Sequence, residues 1–259
     1  MSTKMRTAFL AFFVLVGGQL YGGNSFAFWS WPGPELKPPG TPDAWYSVSA
    51  FTPAPDNSSV STFGDHTGNG HQGGLYGTGS APTYKINQLN GYPAVNFLGG
   101  SSKSFSTNLN AGSYPITVAI IGREANNTGL HTYMGSGNGP GLGFRVANGG
   151  NAGKTQVVRV GITQIAIASS AQLFGSFHLR VIVLTSSTYA FYLDGVANGS
   201  GSHSVPISLT QYLLGGEDGT GGTVADQLNG DIAEIIVYFN SSVSVSDIHT
   251  YAVNKFNTP

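Results

Sequence analysis

The acidic side chains best spaced for chemistry lie in the glycine-rich stretch 215–227, GGEDGTGGTVADQ, which carries Glu217, Asp218 and Asp226. Carboxylate oxygens interleaved with glycines suit a hard cation such as calcium, which takes six to eight oxygen ligands and accepts carbonyls from flexible turns. A second stretch, 129–143 (GLHTYMGSGNGPGLG), offers His131, Tyr133 and Asn138. An aromatic ring that stacks on a sugar face, flanked by directional polar groups, is what a glycan site on a loop requires. The plain alternative for both stretches is a solvated connection whose glycines permit tight turns.

Other constellations point away from catalysis. The Glu-x-Asp-x-x-Glu strand that places two carboxyls for glycoside hydrolysis is absent. Asp231 and Glu234 stand three apart, so a regular strand sends them to opposite faces. Glu234 then shares a face with Ile232 and Ile236 and needs a partner such as Arg123, Arg145 or Arg180. Residues 68–73 match G-x-G-x-x-G without the strand and helix that make it a phosphate site, and read as a turn. There Asp65 is expected to accept hydrogen bonds from loop amides. His66 and His71 have no further histidine or cysteine nearby to complete a zinc site. There is no G-x-S-x-G elbow, and with no cysteine no thiol nucleophile and no disulfide. Asn57, Asn126, Asn198 and Asn240 head sequons that matter only in a eukaryotic secretory route.

These residues must be positioned by strands. Only 9% of the 259 residues are charged while 38 are glycine, a profile of many strands joined by tight turns. The formal charge of −1 gives no footprint for nucleic acid. Strands are predicted at 45–50, 94–98, 103–107, 116–123, 129–134, 141–147, 156–162, 176–185, 188–193, 211–214 and 228–239. In 177–183, Phe177, Leu179, Val181 and Val183 form one apolar face, with His178 and Arg180 opposite. Asp194-Gly195 reads as a hairpin tip. The run 228–239 is apolar on both faces and is predicted to be central, and a closing helix follows, capped near Ser246 and burying Ile248, Tyr251, Ala252, Lys255 and Phe256.

Upstream, residues 1–27 have the pattern of a secretory signal: Lys4 and Arg6, an apolar run too short to span a membrane, then Ser25-Phe26-Ala27. Taking Lys4 and Arg6 from the 11 basic residues leaves 9 against 12 acidic, a net −3. Residues 28–43 hold five prolines and read as an extended lead-in whose Trp29 and Trp31 dock on the body or on a partner.

Asp65-His66-Thr67-Gly68-Asn69-Gly70-His71, Asn90-Gly91-Tyr92-Pro93-Ala94-Val95-Asn96-Phe97, Tyr192-Leu193-Asp194-Gly195 and Gly230-Asp231-Ile232-Ala233-Glu234-Ile235-Ile236-Val237-Tyr238, then a helix ending Asn254-Lys255-Phe256, occur in that order. Together they resemble the concanavalin A-like lectin/glucanase superfamily, specifically its laminin-G-like jelly rolls. The resemblance implies an all-β, two-sheet antiparallel jelly-roll sandwich over residues 44–257 with a short C-terminal helix. It also implies recognition of a glycan or a surface protein outside the cytoplasm, often with calcium. Asn96-Phe97-Leu98-Gly99 lacks the acidic residue that relatives often carry before this glycine. The alternatives are a self-associating structural subunit of an extracellular or virion assembly, suited by low charge, and a glycosidase or lyase with a rearranged site.

Overall fold

The computed structural model describes residues 35–48, 54–110, 112–137, 141–147, 149–159, 163–204, 211–218 and 223–258. The expected signal, its cleavage site, Trp29, Trp31 and Asn138 lie outside the described residues. All of the strands and the helix belong to one compact unit that begins at Leu36.

Two antiparallel eight-stranded sheets make the body, the predicted jelly-roll sandwich. The first runs β14 (Val196–Ser202), β13 (Thr188–Leu193), β12 (His178–Leu184), β7 (Ile116–Glu124), β18 (Asn229–Phe239), β5 (Tyr92–Leu98), β4 (Thr83–Leu89), with β1 (Ala44–Ser47) also paired to β18. The second runs β11 (Thr163–Ile167), β10 (Thr155–Arg159), β9 (Leu142–Val146), β8 (His131–Ser136), β15 (Gln211–Leu214), β6 (Ser104–Asn110), β3 (Gly73–Tyr76), β2 (Thr62–Phe63). A two-stranded hairpin, β16 (Glu217–Asp218) with β17 (Val224–Ala225), stands apart from both. Helix α1 (Val245–Phe256) is the last element of the described residues. Among the described residues no helix is long and apolar enough to cross a membrane.

Alternation along each strand builds two apolar layers. Ile116, Val118 and Ile120 of β7 and Ile235 and Val237 of β18 meet Phe105, Phe144 and Leu214 of the second sheet between the sheets. On the reverse of the first sheet, Ala119, Ile121, Leu179, Val181, Ile236 and Tyr238 meet Ile248, Tyr251, Ala252 and Phe256 of α1. The β12 face predicted to be apolar is therefore the one under the helix. Its opposite face is buried as well, because Ile182 and Leu184 enter the inter-sheet core.

β18 corrects one expected register. A bulge between Ile232 and Glu234 turns Glu234 out with Ile236 while Ile232 stays inside. Asp231 and Glu234 consequently both lie on the helix-covered face. They are held by separate cations: Arg123 pairs with Asp231, and Lys255 Nζ reaches Glu234 Oε2 at 2.6 Å, with the Tyr251 hydroxyl donating to Glu234 Oε1. None of the three expected arginines partners Glu234, since its actual partner comes from α1. The helix buries the five residues predicted, but its cap is Ser244, two residues earlier than expected.

Candidate functional site

Antiparallel partners share a face, so Thr132 of β8, Arg145 of β9 and Gln156 of β10 form one row on the outside of the second sheet. Their neighbours Phe144, Val146 and Val157 point into the core. Arg145 Nη1 binds Asp226 Oδ2 at 2.8 Å and lies 3.9 Å from Glu217 Oε1. Its Nε donates to Gln156 Oε1 at 3.3 Å, and Gln156 Nε2 donates to the exposed Gln164 of β11 at 3.0 Å. A ladder of polar groups thus crosses three strands from Asp226 to Gln164.

The β16–β17 hairpin lies on this face because β8 presents bare backbone to Glu217 at Gly135. A Cβ at Gly135 would fall 2.6 Å from both Glu217 Cβ and the Gly216 carbonyl oxygen, so only glycine admits this approach. Thr132 N donates to the Asp226 carbonyl at 3.0 Å, and a bridge joins Thr132 to Gln227. On its other side, Asp218 Oδ1 accepts from the half-buried Tyr76 hydroxyl at 2.8 Å.

Glu217 is only 7% exposed. Burial, reinforced by Asp226 and opposed by Arg145, pushes its carboxyl up to about 7. Its Oε2, with Thr132 Oγ1 and Gln227 Oε1, has no hydrogen-bond partner among the described residues.

The expected site residues therefore separate. Glu217, Asp218 and Asp226 do gather on one hairpin, but Arg145 supplies the positive charge beside Glu217 and Asp226, and Asp218 turns to Tyr76. Among the described residues no three histidine, cysteine, aspartate or glutamate side chains are grouped to hold a metal. His131 and Tyr133 lie in the strand predicted at 129–134 and not on an exposed loop: β8 begins at His131, and they are 1% and 0% exposed. Tyr133 points inward and its hydroxyl donates to Glu124 between the sheets, so its ring is no platform for a ligand. His131 Nδ1 accepts from Asn229 N at 3.2 Å, and burial lowers its pKa against the opposing pull of Glu124. Sequence reasoning missed Tyr76, Arg145, Gln156 and Gln164 as site residues. The alternation Leu142, Phe144, Val146 already placed Arg145 on the other face of its strand, whereas Gly73-Gly74-Leu75 hid the strand that carries Tyr76.

No protein-family model matches the chain, and no curated protein does. Among solved structures it is similar to domain 4 of AbnA, a GH43 extracellular arabinanase from Geobacillus stearothermophilus in complex with arabinotriose. The identity is 17% and the TM-score 0.59 over 81% of this chain and 97% of that one. It is also similar to Trypanosoma rangeli sialidase in complex with sialic acid, at 14% identity and TM-score 0.53, over 82% of this chain and 32% of that one. This chain spans about a third of the sialidase. At these identities the likeness is one of fold, a β-sandwich shared with domains of carbohydrate-active proteins.

Proposed function

We propose that the chain is a secreted, non-catalytic module that recognises a glycan through the outer face of its second sheet. The observation that carries this reading is the Asp226–Arg145–Gln156–Gln164 ladder, a fixed row of hydrogen-bonding groups that ends at the exposed Gln164. Sugar hydroxyls are read by such directional groups on a rigid scaffold. The fold shared with an arabinanase domain bound to arabinotriose supports it, as does the concanavalin A-like resemblance; secretion rests on the pattern of residues 1–27. Recognition is favoured over hydrolysis because the Glu217 and Asp226 carboxyls both face the Arg145 guanidinium, at 3.9 and 2.8 Å, and do not flank an open cleft as a catalytic pair. A retaining glycosidase holds its two carboxyls about 5 Å apart around the scissile bond.

Calorimetric titration with arabinotriose and a sialylated oligosaccharide tests the reading. Arg145→Ala and Gln164→Ala are each expected to weaken binding of the accepted sugar about tenfold, or about 1.4 kcal/mol. The Arg145 guanidinium already faces both acidic groups, so binding is expected to persist in EDTA. Binding unaffected by either substitution, or release of reducing ends from the sugar, would overturn the assignment.

A further inference from the structure

Glu217, only 7% exposed, and Asp226 converge on the single Arg145 guanidinium where the hairpin overlies the second sheet, and of two carboxyls that share one cation in a buried place one is favoured in its protonated form. Arg145 makes its short ion pair with Asp226, at 2.8 Å against 3.9 Å to Glu217, which leaves the proton on Glu217. We propose that Glu217 is a pH-sensitive latch, which holds the β16–β17 arms against the sheet while it is protonated and releases them when the proton is lost.

The groups around Glu217 leave a second negative charge uncompensated. Arg145 on β9 faces both carboxyls and supplies one positive charge. β8 presents the bare Gly135 and the neutral Thr132, β10 presents the neutral Gln156, and Ala225 lies opposite Glu217 on β17. Asp218, next along β16, is bound to Tyr76, and His131 lies at the start of β8, turned to the Asn229 amide. Once Glu217 ionises, two carboxylates share one guanidinium, and Glu217 Oε2 has no donor. A buried unpaired charge is strongly unfavourable, and moving the arms into water relieves it. The arms have the means to move. Gly215 (φ 84°) and Gly216 precede β16, and Asp226, after β17, holds a left-handed φ of 42° that a non-glycine residue avoids. The carboxyl's rise to about 7 places the release near neutrality.

Amide hydrogen exchange reads the latch without a ligand. The Thr132 amide, bound to the Asp226 carbonyl, and the Leu228 amide, bound to the Gly215 carbonyl at 3.1 Å, report closure. After correction for intrinsic rates, their protection is expected to fall at least tenfold between pH 6 and pH 8.5, while Ile235 in β18 stays constant. Glu217→Gln keeps a donor without a titrating proton and should change less than twofold; Asp226→Asn, which removes the partner charge, should be similarly flat. Equal protection at both pH values in the wild type, or the same loss in Glu217→Gln, overturns the latch. Its bearing on sugar binding rests on the proposed function: failure to bind arabinotriose or the sialylated oligosaccharide at either pH, with the exchange response intact, would sink that reading and leave the latch standing.

Discussion

Arg180 sits on the inner face of β12, 1% exposed, where an unpaired charge is not tolerated. Its Nη2 meets both Glu124 oxygens, at 2.7 and 2.9 Å, Nη1 donates to the Gly122 carbonyl, and Nε donates to Gln172 Oε1. Glu124 also accepts from Tyr133 and from Gln172 Nε2, so the network is closed. Arg180→Met is expected to cost about 3–5 kcal/mol in urea unfolding, because Glu124 stays behind as a buried carboxylate. Glu124→Met with Arg180→Met together should cost clearly less than either charge left alone. Glu217 behaves differently because it titrates. Its folded-state pKa of about 7 exceeds the ordinary 4.5, so the folded chain binds this proton more tightly. That contribution to stability is fully present below pH 4.5 and is lost as the pH rises through 7, an effect on the order of 1–3 kcal/mol. Denaturation at pH 4.5, 6 and 7.5 should show this decline in the wild type and a flatter profile in Glu217→Gln.

Helix α1 depends on its cap and on a single apolar stripe. Ser244 Oγ accepts from Asp247 N at 3.4 Å, and Asn257 closes the other end in a left-handed conformation, φ 51°. Ser244→Ala should cost about 1 kcal/mol, whereas Ile248→Ala, which opens a void against the first sheet, should cost about 2–4 kcal/mol by thermal melting. The Asp194-Gly195 turn is equally specific. Gly195 has φ 78° and a Cβ there would lie 2.6 Å from the His249 ring, so Gly195→Ala should destabilise both the hairpin and the helix resting beside it. This turn, the β12 alternation and the α1 stripe were legible because each is a local pattern of period two, period 3.6 or paired turn residues. β3 and β14 were not, since Gly-Gly-Leu-Tyr and Val-Ala-Asn-Gly-Ser-Gly-Ser have little strand propensity; they are extended because Phe105 and Tyr192 of neighbouring strands fix their register. The bulge at Ile232 and the Lys255 partner of Glu234 were hidden for the same reason, being decided across the fold. Of the candidate site, the glycine-rich stretch showed the acids but not their partners: Glu217 and Asp226 face an arginine from a strand some 70 residues upstream, and Asp218 turns to Tyr76.

The unit from Leu36 onward is built in three layers, second sheet, first sheet and helix, and β18 contributes to both apolar interfaces at once. Unfolding is therefore expected to be a single transition. Trp45, whose ring lies 5.0 Å from Lys255 Nζ, reports the helix layer once Trp29 and Trp31 are replaced by phenylalanine, and far-ultraviolet dichroism reports the sheets. Coincident urea midpoints are expected; an earlier midpoint for Trp45 would show the helix leaving first. The pairing of β1 with β18 also governs how the module can be mounted. Chain enters through Asp43, bound to Val237 and Phe239, and leaves through α1, packed on the outer surface of the same sheet. Both attachment points therefore belong to the first sheet and its covering, behind the surface that carries Arg145 and Gln164.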